Sequence, residues 1–180
     1  MKILILQNRM GIGDMIMFLP FIEAISKKFK TPVTILAKKN TKIEMYFNNK
    51  EIVEEIMYLE REDKEKHSGV KGFFKLVNEL ILKKFDKVFI FNSSLRYFLI
   101  SKFSGIKKVF HYPLFKKKNQ QIIEAAKEFT LKSIGEDIES TPRLFLKDQD
   151  ILKAKKDHSI EQSTTCLLYT SDAADDMFRV

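Results

Sequence analysis

The chain has 180 residues, of which 44% are hydrophobic, and it carries a formal net charge of +8 with a single cysteine. One cysteine excludes an internal disulfide framework and a cysteine-based metal cluster, and no apolar run reaches the roughly 18 to 20 residues of a bilayer-spanning helix. Because the N-terminal apolar run is also too short for a signal peptide, the sequence predicts a cytoplasmic protein.

Short apolar runs alternate along the chain with segments of helical periodicity. We predict five strands, over 2–6, 33–37, 55–59, 87–91 and 108–111, and a last extended segment over 142–146. The predicted helices lie over 14–29, with a kink at Pro20, and over 43–47, 72–84, 95–103 and 119–134, the last one ended by Gly135. A helical turn precedes the strand over 55–59. This alternation indicates an α/β fold, a Rossmann-like doubly wound domain with a parallel sheet.

Basic residues are concentrated in the first part of the chain. From residue 148 onward, four Lys and Arg stand against seven Asp and Glu, so the positive charge belongs to residues 1–147. A basic domain suits an anionic partner such as nucleic acid, a phosphorylated glycolipid or the cytoplasmic face of a membrane. A coding bias toward Lys, Ile, Phe and Asn explains the charge equally well. The sequence contains no nucleic-acid-binding motif, so we expect no nucleic-acid partner.

A glycine-containing loop follows the first predicted strand. Gly11 and Gly13 let a ligand approach the backbone closely, and ligands of α/β sheets bind beyond the carboxyl ends of the strands. A dinucleotide fingerprint would need a third glycine where Ile16 stands and an acidic residue after the second strand, where residues 38–40 read Lys-Lys-Asn. The P-loop pattern fails as well, and we therefore predict no bound cofactor.

Asp14 stands where this loop meets the first helix. As a helix-start residue, its carboxylate would meet free backbone N–H groups and the positive end of the helix. As a catalytic residue, it would act as a general base at the edge of a cleft. Sequence spacing leaves both interpretations open.

A second group of polar residues follows the buried strand over 87–91. Asn92, Ser93 and Ser94 should lie on the same edge of the sheet as the glycine loop, because both groups follow parallel strands. They could bind ligand hydroxyls, and Arg96 could reach a phosphate or carboxylate. A helix cap at Ser93 or Ser94 explains them equally well.

Other chemistry is disfavoured. The three histidines have no metal-ligand spacing, so we predict no metal site. Neither serine of residues 93–94 stands in the G-x-S-x-G motif of a hydrolase. Phe73 and Phe74, flanked by Lys71 and Lys75, fit a core helix with solvated lysines, the commoner case, or a membrane-facing helix.

The composition changes after about residue 160. Residues 163–176 contain no lysine and include Cys166, the single cysteine. Residues 166–176 resemble the conceptual translation of a transposon-end adapter used in sequencing libraries. We therefore expect residues 1–147 to form one domain, residues 148–165 to be a connection or the start of another domain, and residues 166–180 to be a non-native tail.

Several segments of residues 1–147 resemble glycosyltransferase family 9, the lipopolysaccharide heptosyltransferases. The family begins with an M-K-I-L-I strand, a polar loop ending in G-D and a helix carrying L-P, and this pattern is matched by residues 1–5, 11–15 and 19–20. Residues 85–91 resemble the family's Y-D-x-V-I-D strand. Residues 124–135 resemble the helix that precedes the family's interdomain connection.

The resemblance implies the N-terminal half of a GT-B enzyme, in which two Rossmann-like halves face each other across a cleft. The N-terminal half would bind a glycolipid acceptor, an inner-core lipopolysaccharide sugar, and a C-terminal half would bind the nucleotide-sugar donor, ADP-heptose. Transfer would be inverting and metal-free, with Asp14 as the base. The acceptor-binding residues that we expect beside Asp14 are Gly11, Gly13, Asn92, Ser93 and Arg96. We also expect peripheral contact with the cytoplasmic face of the inner membrane, and no activity from these 180 residues alone.

Three features depart from the family pattern. Its D-x-Q-G-L segment reads F-N-S-S-L at residues 91–95, a frequent histidine is replaced by Gln121, and the loop before Gly11 is one residue longer. The acceptor and the heptose therefore stay open. Two alternatives are a non-catalytic α/β module that binds an anionic ligand and a nucleotide-binding oxidoreductase half. A second Rossmann-like half encoded beyond residue 165 would favour the transferase, and a native stop there would favour the module.

Overall fold

The computed structural model describes residues 1–9, 11–47, 49–61, 65–113, 121–142 and 148–157. The chain divides into two compact units, Met1–Phe145 and Leu146–Val180. The second unit contains one described element, helix α6 (Asp148–Asp157). Residues 143–147, which carry most of the predicted last extended segment, lie outside the described residues. So do the predicted non-native tail and His158.

The first unit is built on a five-stranded parallel sheet. Its strands are β1 (Ile3–Gln7), β2 (Val33–Ala37), β3 (Val53–Tyr58), β4 (Lys87–Ile90) and β5 (Lys108–His111). Every residue of β1 and β2 is buried, as expected for parallel strands that are covered on both faces. The predicted α/β fold with a parallel sheet is confirmed.

The strand order is β3-β2-β1-β4-β5, so the chain changes direction at β1. It runs outward from β1 through β2 to β3, and then crosses to the other side of β1 to form β4. β1 and β4 pair from Ile3 with Lys87 to Leu6 with Ile90. In doubly wound sheets such a reversal is the switch point at which the loops after two neighbouring strands diverge and leave a crevice for ligands.

Helices cover both faces of the sheet. They are α1 (Ile12–Phe29), α2 (Ile43–Tyr46), α3 (Gly69–Lys83), α4 (Leu95–Phe103) and α5 (Ile122–Ile134). Because alternate side chains of a strand point to opposite faces, Ile3 and Ile5 pack with residues of α1 and α5, whereas Leu4 and Leu6 pack with residues of α3 and α4. In the described part of the chain, no helix is both long enough and apolar enough to cross a membrane.

The predicted and observed boundaries differ most at helix starts. α1 begins two residues earlier than predicted, because Gly11 adopts a φ of 97° and helical geometry starts directly after it. α3 begins three residues earlier, at Gly69. Within its first turn a Cβ on Gly72 would lie 2.1 Å from the backbone carbonyl carbon of His67, so the preceding loop packs directly on the helix.

Strand β3 also begins earlier than predicted, because Val53 already pairs with Val33 of β2. The bounds of α4 and β5 agree with the prediction. Gly135 ends α5 in the left-handed conformation with a φ of 76°, which confirms the predicted glycine cap. The predicted start of α5 at residues 119–120 lies outside the described residues.

Candidate functional site

The loops after β1 and β4 meet at the carboxyl edge of the sheet, at the switch point. The side-chain amide Nδ2 of Asn92, in the β4–α4 loop, donates to Oδ1 of Asn8, in the β1–α1 loop, at 2.7 Å. The prediction that these two polar groups share one edge is therefore confirmed. We call this edge, formed by residues 8–14 without Met10 and by residues 92–94, the switch-point rim.

The two glycines of the rim serve different purposes. Gly11 is the N-cap of α1, and its φ of 97° is a conformation that L side chains rarely adopt. Gly13 lies in the first turn of α1 and is exposed, and the space that a side chain would occupy there is open. The backbone of this turn is therefore accessible to a ligand.

Asp14 is the third residue of α1 and is half-buried. Because the N-cap is glycine, no side chain caps the N-terminal turn. Among the described residues, the Asp14 carboxylate has no hydrogen bond or ion pair with another side chain. The first-turn position is confirmed, and a carboxylate there interacts favourably with the positive end of the helix. Its oxygens are also available to accept a proton from a ligand hydroxyl.

Asn92 and the serines after it form the start of α4. Oδ1 of Asn92 accepts a hydrogen bond from the backbone N–H of Ser94 at 2.6 Å. Ser94 is the N-cap of α4, but its side chain makes no capping hydrogen bond. A side-chain cap from Ser94, one of the alternatives that the sequence left open, is therefore not present, and Asn92 satisfies the N–H of the N-cap residue instead. Ser93 is exposed, and its binding of an acceptor stays a prediction, as does that of Asn92.

The Arg96 side chain lies against the start of α3. Its Nη2 donates to the backbone carbonyl oxygens of His67 at 3.0 Å and of Gly69 at 2.9 Å. The guanidinium carbon also lies 5.5 Å from the ring centroid of Phe73. Burial lowers the pKa of Arg96, and the nearby charge of Arg61 adds to this effect. The guanidinium of Arg96 is thus bound at the start of α3, and acceptor binding by it stays a prediction.

A cleft of about 760 Å³ opens beside the rim. The described residues that line it come from the β1–α1 and β4–α4 loops, from β5 and the two residues after it, and from α5: Arg9, Ser93, Val109, Phe110, His111, Tyr112, Pro113, Ile122, Ala125, Glu128, Phe129, Lys132 and Ser133. This volume lies in the range of small-molecule sites. Asp14 is not part of the lining, so the cleft and the carboxylate are neighbouring features of one edge.

The cleft has polar groups that suit an oxygen-rich ligand. The Tyr112 hydroxyl is buried and has no hydrogen-bond partner among the described residues. Burial raises the pKa of Tyr112 strongly, and the positive charge of Arg9 opposes the shift. Lys132 pairs with Glu128 at 2.6 Å, and Nδ1 of His111 lies 2.6 Å from the Tyr112 carbonyl oxygen. The lining therefore combines cationic groups with a hydroxyl that could bond a ligand.

Ser93 was predicted as an acceptor contact, whereas Arg9, Tyr112 and Lys132 were not identified from the sequence. The rule that identified Asn92 also applies to the neighbouring strand, because Tyr112 directly follows β5. Arg9 stands two residues before Gly11 in the loop already singled out. Lys132, on α5, by contrast has no signal in the sequence that separates it from other helix lysines.

Gln7 holds the start of the β1–α1 loop through a hydrogen bond to its backbone. It is the last residue of β1 and is fully buried, and its Oε1 accepts the backbone N–H of Arg9 at 2.5 Å. Its Nε2 is buried without a partner among the described residues. A buried amide normally satisfies its hydrogen bonds, so Gln7 marks a second incompletely satisfied polar group close to the rim.

No group of three or more His, Cys, Asp or Glu that could hold a metal ion occurs within the described ranges. His67 is instead used structurally. Its Nδ1 accepts the backbone N–H of Glu60 at 3.1 Å, and its Nε2 lies 3.2 Å from Oε2 of Glu79.

Similarity to known proteins is found at the level of structure. No protein-family model and no curated protein matches the chain. The fold matches the crystal structure of the glycosyl transferase family 9 from Veillonella parvula DSM 2008, with a TM-score of 0.61 and 15% sequence identity. It also matches E. coli ADP-heptose lps heptosyltransferase II, with a TM-score of 0.58 and 17% identity.

Each match covers 90% of this chain, and 51% and 52% of the two solved chains respectively. The chain therefore spans about half the length of both neighbours. At this level of identity, the matches show a shared fold.

Proposed function

We propose that this chain is the acceptor-binding half of an inverting glycosyltransferase and that Asp14 is its general base. The observation that carries the proposal is the Asp14 carboxylate, which stands at the switch point of the sheet without a partner among the described residues. The fold shared with two glycosyltransferase structures supports the same class. Since one fold hosts many functions, the fold is the weaker support.

In the proposed reaction, the oxygen of an acceptor hydroxyl attacks the anomeric carbon of the nucleotide-sugar. The bond from that carbon to the diphosphate oxygen breaks, the nucleoside diphosphate leaves with the electron pair, and the configuration at the carbon inverts. Asp14 accepts the proton of the attacking hydroxyl. The open backbone around Gly13 leaves room for the acceptor to approach.

The proposed acceptor is a lipopolysaccharide core sugar or a related glycan carried on a lipid. Such a glycan would extend from Asp14 along the rim into the adjoining cleft. Arg9 and Ser93 belong to both the rim and the cleft lining, so they are placed to contact successive parts of it. Arg9 and the Tyr112 hydroxyl can donate hydrogen bonds to sugar hydroxyls or acidic substituents.

The proposed donor is ADP-heptose, bound by a second α/β half outside these 180 residues. The leaving diphosphate needs positive charge or a helix N-terminus to stabilise it, and we assign that duty to the second half. The length of both structural neighbours, about twice that of this chain, supports the assignment. We therefore expect the 180-residue chain alone to be inactive.

The test is to extend the reading frame beyond residue 165 and to assay the encoded protein. We expect a second α/β half, and transfer from ADP-heptose to a lipopolysaccharide-core acceptor that persists in the presence of EDTA. The 180-residue chain should show no turnover above that of its Asp14→Ala variant. A native stop close to residue 165 would contradict the proposal and favour the anion-binding module. Transfer from a different nucleotide-sugar would support a glycosyltransferase and contradict the assignment of heptose as the transferred sugar.

A further inference from the structure

The outer surface of helices α3 and α4 is apolar where the two helices meet. The ring of Phe73 packs edge-on against those of Phe74 and Phe103, with centroids 5.3 and 6.0 Å apart. Phe74 is 57% exposed and Phe103 is 64% exposed. Val70 and Leu99 precede these two residues by one helical turn and are also exposed. We call these five side chains the α3–α4 patch, and clustered apolar exposure of this kind marks an interaction surface.

The patch is bordered by positive charge that is not neutralised. Lys71 and Lys75 alternate with the patch residues along α3, Lys102 lies beside Phe103 on α4, and all three are exposed. None of the three forms an ion pair among the described residues. The one carboxylate of α3, Glu79, is already paired with residues of the preceding loop, and α4 contains no carboxylate.

We propose that the α3–α4 patch docks the protein on an anionic phospholipid bilayer. Exposed phenylalanines insert favourably at the boundary between headgroups and acyl chains, and basic residues around them bind anionic headgroups. The lysine stems can lie along apolar surface while their ammonium groups reach the headgroups. A second copy of this chain fits less well, because facing patches would bring the lysines of both copies together without a carboxylate.

This surface differs from the switch-point rim, so bilayer docking does not rest on the transferase reaction. The test is sedimentation of the 180-residue chain with phosphatidylcholine vesicles that contain either no anionic lipid or about 30% phosphatidylglycerol. We expect binding to the anionic vesicles that is at least about tenfold tighter than to the neutral ones, and that weakens at high salt. The double variant Phe74→Ser/Phe103→Ser should bind the anionic vesicles at least about tenfold more weakly than the unchanged chain. Lys71→Gln/Lys75→Gln should also lose about tenfold, with an unchanged unfolding transition.

Matched control variants lie on the opposite face of the sheet. Leu131→Ser removes an exposed apolar side chain of α5, and Lys30→Gln removes an exposed charge at the end of α1 that forms no ion pair among the described residues. Both should bind like the unchanged chain. Equal binding by patch and control variants, or equal binding to both vesicle types, would overturn the proposal. So would a dimer in free solution that the phenylalanine double variant abolishes, because the patch would then belong to a second copy.

Discussion

The switch-point rim contains polar side chains that are bonded to each other and a carboxylate that is not. In the β4–α4 loop, Asn92 bonds to Asn8 and to the backbone N–H of Ser94. Arg96, in the first turn of α4, is bound to two carbonyl oxygens at the start of α3. After β1, Asn8 is the partner of Asn92, whereas Asp14, in the first turn of α1, has no such partner in the described part of the chain. Asn8 and Asn92 therefore hold the rim together, and the Asp14 carboxylate is left available for chemistry.

This difference separates residues that build the site from a residue that acts in it. Removing a bonded side chain should lower stability, whereas removing an unbonded one should leave stability nearly unchanged and lower only activity. Substitutions on the two sides of the rim can therefore test the comparison.

The largest effect on stability is expected beneath the β4–α4 loop. Phe91 directly precedes Asn92, is 2% exposed, and packs edge-on against Phe18 and Phe129 with centroids 5.2 and 5.1 Å apart. Phe91→Ala should lower the free energy of unfolding by about 3–5 kcal/mol, measured by denaturant titration. Phe74→Ala, at an exposed ring, is the control. A loss below about 1 kcal/mol for Phe91→Ala would show that the loop does not depend on this core.

The next effect concerns Asn92 itself. Asn92→Ala removes the hydrogen bond to Asn8 and the partner of the Ser94 N–H, so the free energy of unfolding should fall by about 2 kcal/mol. Asn78→Ala, at an exposed position of α3, should change it by less than about 0.5 kcal/mol. Equal values for the two variants would remove the contrast with Asp14.

A smaller, pH-dependent effect is expected at Glu79, which holds the loop whose carbonyl groups bind Arg96. Burial raises the pKa of Glu79, but the hydrogen bond from Lys66, 2.6 Å away, and the neighbouring His67 outweigh it, so the pKa lies below its usual value of 4.5. A lowered pKa stabilises the fold above the usual value, and this stabilisation is lost as pH falls through the pKa of the folded state.

Glu79→Gln should therefore lower the free energy of unfolding by about 1 kcal/mol at pH 7. The difference from the unchanged protein should shrink below the usual pKa of 4.5. Unfolding midpoints measured across this range check the expectation. Glu54→Gln, at an exposed carboxylate of β3, should show no such trend. A difference that grows at acidic pH would contradict the assigned ion pair.

The smallest effect on stability is expected at Asp14. Asp14→Asn keeps the shape of the side chain and removes only its interaction with the positive helix end, so the free energy of unfolding should change by no more than about 0.5 kcal/mol. A loss as large as that of Asn92→Ala would mean that Asp14 has a structural partner, and it would remove the distinction between Asp14 and Asn92.

The sequence predicts where these polar side chains lie better than it predicts whether they have hydrogen-bond partners. The common edge follows from periodicity alone, because the carboxyl ends of parallel strands always lie on one side of a sheet. The partners could not be predicted. Asn8 is 84 residues away from Asn92 in the sequence, and the carbonyl groups that bind Arg96 lie at the start of α3, about 30 residues earlier. Such contacts depend on strand order and loop packing, which local sequence does not encode.

The cleft also contains one residue whose position could be predicted from the sequence and one whose position could not. Tyr112 follows β5 and obeys the rule that identified Asn92, so its place near the edge was predictable. That α5 closes the other side of the cleft with Lys132 depends on how this helix packs over the sheet. The rim can thus be located from the sequence, whereas the groups of the rim that lack a partner are defined by tertiary structure.

Catalysis by Asp14 is tested most directly by the turnover of the Asp14→Asn variant of the protein that the extended reading frame encodes. With ADP-heptose and a lipopolysaccharide-core acceptor, we predict that kcat falls by about 10²- to 10⁴-fold while the KM for the acceptor stays within about threefold. Asp137→Asn, at an exposed aspartate after α5, should leave both values unchanged. A kcat for Asp14→Asn within about threefold of the unchanged enzyme would contradict the assignment of Asp14 as the base.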